Sequence, residues 1–91
     1  MIGESALPEE VAAIHTALLS TPGVDRVIHL RTMHLGPEDL LVVAKIAIAA
    51  RDNGATVAAA IDDAEARLRQ ALPAARVVYL EPDIDRATVT A

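Results

Sequence analysis

The feature that most constrains the fold of this chain is an apolar run at residues 40–50, interrupted only by Lys45. The run is too short to span a bilayer, which takes ~20 apolar residues. It is interpreted as a β-strand, in which successive side chains point to opposite sides of the sheet. Both sides are largely apolar: Leu40, Val42, Ala44, Ile46 and Ile48 on one, and Leu41, Val43, Lys45, Ala47 and Ala49 on the other. A strand covered by helices on one side only is expected to be polar on the other. The pattern therefore predicts that the second side of the strand is either covered by another part of the structure or exposed as an apolar patch that binds a partner.

The rest of the chain predicts two helices and two more strands around this run. Prolines, glycines and capping residues set the expected boundaries. In chain order the predicted elements are a helix from Pro8 to the Pro22-Gly23 turn, a strand over 24–35, the strand over 40–50, a helix capped by Thr56 and running to about Leu72, and a strand over 76–81 ended by Pro82.

This order predicts an α+β fold, a ferredoxin-like two-layer sandwich with the order α-β-β-α-β. Two helices would lie on one face of a three-stranded mixed sheet. The second helix would form a right-handed crossover between the second and third strands. We expect a single domain over residues 8–83 and a disordered tail over 84–91. A core this small usually needs reinforcement, and with no cysteine in the chain the simplest reinforcement is a homodimer. The expected interface residues are Leu41, Val43, Ala47 and Arg31.

Composition excludes several classes of function. The chain has one tyrosine, no phenylalanine and no tryptophan, and its formal net charge is −5. Nucleic-acid binding needs a basic surface and favours aromatic stacking, so no nucleic-acid partner is expected. The sequence has no signal peptide, phosphate-binding loop, nucleophile elbow or metalloprotease helix. We therefore expect a soluble chain that is not an enzyme.

A metal site is a weaker possibility in the sequence. Zinc or another divalent cation accepts imidazole and carboxylate ligands, and no cysteine is required. His29 and His34 are five residues apart, so an unbroken strand would direct them to opposite faces. A dimer could still bring either histidine near the partner's Glu81. The candidates considered are His15, His29, His34, Glu81, Asp83 and Asp85; His29, His34 and Glu81 are the preferred set, although each is also compatible with an ordinary structural or surface role.

Arg31 places a charge on a side of the first strand that is otherwise expected to face an interface. It is compatible with two roles. One is an intersubunit salt bridge to an acid such as Glu81. The other is a surface arginine whose aliphatic stem covers apolar neighbours.

Several segments together resemble the cytoplasmic C-terminal dimerisation domain of cation diffusion facilitators. The resemblance implies an α-β-β-α-β unit that dimerises beneath a six-helix membrane domain, which exchanges a divalent cation, often zinc, for protons at the cytoplasmic face of the cell membrane. Residues 1–7 would then belong to the linker from the last membrane helix, and the chain would be an excised domain or a free-standing relative. The matching segments are Ile2-Gly3-Glu4-Ser5 with Pro8-Glu9, Pro22-Gly23-Val24, Leu30-Arg31-Thr32, Gly36-Pro37, Ala60-Ile61-Asp62-Asp63-Ala64-Glu65 and Val77-Val78-Tyr79-Leu80-Glu81-Pro82.

The sequence also departs from that family at positions where several members bind zinc. The strand position and the helix position that carry histidine in those members correspond here to Ala44 and Ala58. The family's histidine before the Leu-Arg-Thr segment is shifted by one residue, to His29. Glu81 could match a ligand near the end of the last strand. The resemblance therefore implies dimerisation more strongly than metal sensing. The alternative hypothesis is a free-standing module of similar topology that senses a small ligand between its subunits.

Overall fold

The computed structural model describes residues 3–48 and 53–84, with only the backbone described at Ile84. The elements are α1 (Pro8–Leu19), β1 (Val24–Gly36), β2 (Asp39–Ile48), α2 (Gly54–Ala71) and β3 (Val77–Ile84). The strand order in the sheet is β1-β2-β3, with β1 antiparallel and β3 parallel to the central strand. This arrangement confirms the predicted ferredoxin-like α+β fold. Residues 49 and 50 of the predicted second strand, and 85–91 of the predicted tail, lie outside the described residues.

The core lies between one face of the sheet and both helices. The side of β2 that carries Val42 is almost completely buried, each residue being at most 1% exposed. Helix α1 contributes Leu18 to this core, and α2 contributes Ala64 and Leu68. Alanine at a helix contact lets the helix approach the sheet closely, which suits a core with no aromatic side chain. The buried side of β2 carries Leu40, Val42, Ala44, Ile46 and Ile48.

A bulge in β1 changes the faces expected for that strand. The alternation of the sequence places Val27 on the same side as His29. The pairing with β2 instead shifts register between these two residues, and Val27 packs against the core beside Leu30. An extra residue in one strand of an antiparallel pair reverses the alternation beyond it. The bulge thus keeps both Val27 and Leu30 under the helices and leaves His29 on the opposite face.

Two element boundaries also differ from the expectation. Helix α2 is capped by Asn53, whose Oδ1 accepts a hydrogen bond of 2.9 Å from the backbone N–H of Thr56, so Thr56 is the capped residue and not the cap. Strand β3 does not stop at Pro82 but continues to Ile84. Because β3 is an edge strand, the missing N–H of Pro82 removes no bond from the interior of the sheet.

The residues before α1 run along the free edge of β1. The N–H of Gly3 donates to the carbonyl of His34, and the N–H of His34 donates to the carbonyl of Glu4, both at 2.7 Å. The N–H of Ala6 donates to Oγ1 of Thr32 at 2.9 Å. Gly3 has a φ of 89°, which a glycine adopts without the penalty that a side chain would bring. These bonds fix the direction in which the chain enters the domain. Among residues 3–48 and 53–84, no helix is long and apolar enough to cross a membrane.

Candidate functional site

The sheet surface opposite the helices, here called the open face, has four cross-strand rows, of which the last is Arg26, Ala47 and Asp83 and the other three are described below. Each row contains one residue from β1, one from β2 and one from β3, placed side by side by the strand register. The rows follow a gradient from apolar to charged along the strands. The apolar row is Met33, Leu41 and Val77; the middle row is Arg31, Val43 and Tyr79; the charged row is His29, Lys45 and Glu81.

The open face exposes most of the large apolar side chains on the described surface of the sheet. Tyr79 is 64% exposed, Met33 44% and Val43 39%. Tyr79 is also the only aromatic residue in the sequence. An exposed aromatic beside exposed aliphatic side chains and an arginine is the composition typical of protein–protein contacts. The geometry of this face therefore fits contact with another protein surface.

Three of the four predicted interface residues lie on this face. Leu41, Val43 and Arg31 occupy neighbouring positions of the apolar and middle rows. Ala47 points to the same side of β2 but is 0% exposed within the single chain. It therefore presents no surface to a partner, and the exposed part of the face is formed without it.

The charged row separates two of the predicted metal ligands. Lys45 pairs with His29 on one side and with Glu81 on the other, so the two outer strands lie about 10 Å apart. The Nζ atom of Lys45 lies 3.7 Å from Oδ2 of Asp83, which is also in β3. An ammonium group between the two candidate ligands repels a divalent cation. Within one chain, His29 and Glu81 do not form a joint cation site.

The third predicted ligand, His34, lies on the helix side of the sheet. Its Nε2 atom is 3.5 Å from Oε1 of Glu10 in α1, and the same carboxylate oxygen accepts a hydrogen bond of 2.8 Å from the N–H of Leu7. No register shift falls between His29 and His34, so their odd spacing puts them on opposite faces, as the sequence predicts for an unbroken strand. Within residues 3–48 and 53–84, no three His, Cys, Asp or Glu side chains group to hold a metal ion.

The sequence predicts that Lys45 shares a side of its strand with Leu41 and Val43, but it does not indicate that Tyr79 and Met33 belong to the same surface. A signal for Tyr79 was present, because it alternates with Val78 and Leu80 in an apolar strand and is the only aromatic in the chain. The position of Lys45 between His29 and Glu81 depends on the pairing of three strands distant in sequence. No local pattern could have indicated it.

A groove of about 670 Å³ crosses the edge of β1 next to the open face. It is lined by Val11 and His15 of α1, by Thr32 and Arg31 of β1, and by Ser5 of the preceding segment. His15 is partly buried here, as expected for an ordinary helix residue at the margin of a core.

Comparison with known proteins identifies the family. The family model described as the cytoplasmic domain of cation efflux proteins matches residues 6–83. The nickel form of a MamM C-terminal domain variant is 18% identical, with a TM-score of 0.81, and the alignment covers 86% of this chain and 98% of that one. The cadmium form of another variant is also 18% identical, with a TM-score of 0.81 and coverage of 87% and 98%.

The copper form of a third MamM variant is 18% identical with a TM-score of 0.79, covering 84% of this chain and 94% of that one. At this identity the structural likeness establishes the shared fold, while the family model establishes the family. A search of the curated proteins found no match. The chain therefore belongs to the cytoplasmic-domain family of cation efflux proteins, the cation diffusion facilitators, which is a transporter family and is the one that the sequence resembles.

Proposed function

We propose that this chain is the homodimerisation and regulatory domain of a zinc-type divalent-cation efflux transporter. It sits at the cytoplasmic face of the membrane and joins two copies of a six-helix membrane domain. Residues 8–83 form the pairing unit, and residues 1–7 lead into it from the membrane side. Membership of the cation efflux family supports this role more than the alternative of a free-standing ligand-sensing module.

The observation that carries this proposal is the exposure of Tyr79 and Val43 on a sheet whose other face packs against the two helices. Burying apolar surface stabilises a complex by about 25 cal/mol per Å², and a small domain has little other means of hiding this surface. Arg31 lies in the same row as these two residues and adds a charge that can be satisfied across the contact. A second copy of the chain offers the same apolar surface and is the simplest partner.

Sedimentation velocity of the purified chain tests the proposal. The sample is first treated with a chelator, and the run is then repeated over a zinc titration. A dimer under both conditions supports constitutive pairing by this domain. A dimer that forms or changes shape only with zinc supports pairing controlled by the cation. A monomer at every protein and zinc concentration would contradict the proposal.

A regulatory cation, Zn²⁺ or another divalent ion, is proposed to bind between subunits through His29, His34 and Glu81. The nickel, cadmium and copper forms of the MamM domains support divalent binding on this fold. Because Lys45 separates His29 from Glu81 in one chain, the ligands would have to come from two chains: His29 from one subunit and the partner's Glu81. Participation of His34 would require more than the loss of its contact with Glu10, because its side chain lies on the opposite face of β1 from His29.

Calorimetric titration of zinc into the chelated protein tests this site. Alanine at His29, His34 and Glu81 together is expected to abolish binding, since each removes a donor atom. Glu38→Ala, which removes an exposed carboxylate in the loop between β1 and β2, is the matched control and is expected to bind as the parent chain does. Equal zinc affinity in the triple variant and the parent would eliminate the three residues as ligands.

A further inference from the structure

We infer that the free edge of β1 around Leu30 is a docking site for an extended acidic peptide, which adds to the sheet as a further strand. The inference goes beyond the proposed pairing of two copies, because it uses the edge of the sheet and not the open face. Two observations carry it. Backbone groups at this edge lack strand partners, and the side chains of the groove along the same edge suit carboxylates.

The backbone at the free edge of β1 is only partly occupied. The N–H and the C=O of His34 both bond to the segment that precedes α1, so these groups point away from β2. Backbone groups of an antiparallel strand alternate in direction from one residue to the next, and no register shift falls between His29 and His34. The N–H and C=O groups of Thr32 and Leu30 therefore point to the same free edge.

The segment that precedes α1 stops short of Leu30. Its bonds to β1 end with the hydrogen bond of 2.9 Å from the N–H of Ala6 to the Oγ1 atom of Thr32, after which the chain turns into α1. Within residues 3–48 and 53–84, no other segment bonds to the backbone of Leu30 on this side. An extended peptide that lies along such an edge gains main-chain hydrogen bonds, which is the mode of recognition called β-augmentation.

The groove of about 670 Å³ runs along this edge, and Leu30 is among its lining residues. Three lining side chains carry donors for a carboxylate: His15 of α1, and His29 and Arg31 of β1. No acid is among the described residues that line the groove, although the whole chain has a formal net charge of −5. The guanidinium of Arg31 is exposed and forms no ion pair with the described part of the chain. A carboxylate in the groove would supply that ion pair.

The two sides of the groove predict the pattern of the peptide. Side chains of an added strand alternate between the open-face side of the sheet and the helix side. Arg31 and His29 lie on the open-face side, where carboxylates would accept charge-assisted hydrogen bonds. Val11 lies on the helix side, where aliphatic side chains would pack. The partner is therefore an extended segment with aspartate or glutamate at every second residue and aliphatic residues between them.

A second copy of the chain is a poorer occupant of this edge. Two β1 edges side by side would oppose arginine with arginine or histidine, and like charges directly opposite each other weaken strand pairing. The other free edge, β3, carries the acids Glu81 and Asp83, but Pro82 between them has no N–H to donate. Oδ2 of Asp83 also lies 3.7 Å from Nζ of Lys45 in its own chain. Charge and backbone chemistry therefore favour an acidic strand from a different protein segment.

Fluorescence anisotropy with a labelled peptide, Glu-Val-Glu-Val-Glu blocked at both ends, tests the inference. The purified chain is titrated up to about 1 mM in low salt, and saturable binding is expected. Binding should weaken as salt rises from about 0.01 M to about 0.15 M, because the screening length falls from about 30 Å to about 8 Å. Lys-Val-Lys-Val-Lys, with the opposite charge, is expected not to bind.

A second peptide and two protein variants separate the backbone from the charge. Glu-Pro-Glu-Pro-Glu has the same charge, but its prolines lack N–H groups and fix φ, so it should bind at least about fivefold more weakly. Arg31→Gln removes the charge in the groove and should raise the Kd roughly fivefold. Arg76→Gln removes the same charge from an exposed position outside the groove and is the matched control, expected to bind as the parent chain does.

Amide hydrogen exchange gives a direct readout of the added strand. The N–H of Leu30 gains a hydrogen bond only if the peptide lies along the edge. At a peptide concentration about ten times the Kd, its exchange should slow by about tenfold. The N–H of Arg31 points to β2 and is expected to change little.

The outcomes are separable from those of the pairing function. Binding that needs the acidic peptide, Arg31 and a strand-forming backbone supports the docking site. Absence of binding up to about 1 mM, equal binding of the proline peptide, or unchanged exchange at Leu30 overturns it. A dimer in sedimentation would then leave the proposed pairing standing. Peptide binding by a chain that sediments as a monomer supports the docking site and contradicts the pairing.

Discussion

Replacing Val43 with aspartate provides the most direct test of the open face as an interface. Val43 lies at the centre of the face, in the middle row between Arg31 and Tyr79, and its side chain makes no contribution to the buried core. In the isolated chain the new carboxylate would remain solvated. In a dimer it would be enclosed between two sheets.

The expected effect follows from exposure and charge. Full burial of a valine side chain contributes about 1.5–3 kcal/mol, and Val43 is 39% exposed before pairing, so the two copies together lose about 1–2 kcal/mol of association energy. Removing two carboxylates from water adds several kcal/mol more, because the charged neighbour of each, Arg31 of its own chain, offsets only part of that cost. A total of at least about 4 kcal/mol corresponds to a dimer dissociation constant raised roughly 1,000-fold.

The fold itself should change little, because the substitution is at an exposed strand position. The span of strand preferences is about 1 kcal/mol, which in a domain of this size lowers Tm by about 4–8 °C. Sedimentation equilibrium measures the dissociation constant, and thermal unfolding of a dilute sample measures the fold. Ala66→Asp, which adds the same charge on the exposed side of α2, is the control. A folded Val43→Asp chain that dimerises as tightly as the parent would refute the assignment of this face.

Three further substitutions test how the fold is stabilised. Leu68→Ala removes a side chain with no exposed surface from the contact between α2 and the sheet, and urea unfolding should show a loss of about 2–5 kcal/mol. Asn53→Ala removes the cap of α2 and should lower the free energy of unfolding by about 1 kcal/mol, whereas Asn53→Ser should retain most of it. Gly23→Ala forces a side chain into a backbone with φ of 94°, and a loss of about 1–2 kcal/mol is expected in the same assay. A neutral result for any one of them would contradict the role assigned to that residue.

Much of the fold could be predicted because the relevant signals are local. Pro8 and Pro22-Gly23 mark the ends of α1, and the apolar run around Val42 marks a strand at the centre of a sheet. Helix and strand periodicity depends only on neighbouring residues, so the order α-β-β-α-β follows from it. The open face was also predictable. A strand that is apolar on both sides needs both sides covered, and the two predicted helices can cover only one side of the sheet.

The composition of the candidate site could be predicted less well. His29, Arg31 and Glu81 were identified as residue types suited to an interface or a cation, and the odd spacing of His29 and His34 correctly indicated opposite faces. Their relation to Lys45 could not be derived, because strand register arises from pairing between distant segments.

The sequence by itself determined the number, order and type of the elements, the aliphatic nature of the core and the family to which the chain belongs. Tertiary structure alone decided which side chains share the open face. The bulge before His29 directs Val27 inward, and Ala47 is 0% exposed although it lies on the open side of β2. The pairing of three strands puts Lys45 between His29 and Glu81. The physical reason is that periodicity is a property of one segment, whereas register, bulges and burial depend on contacts between segments.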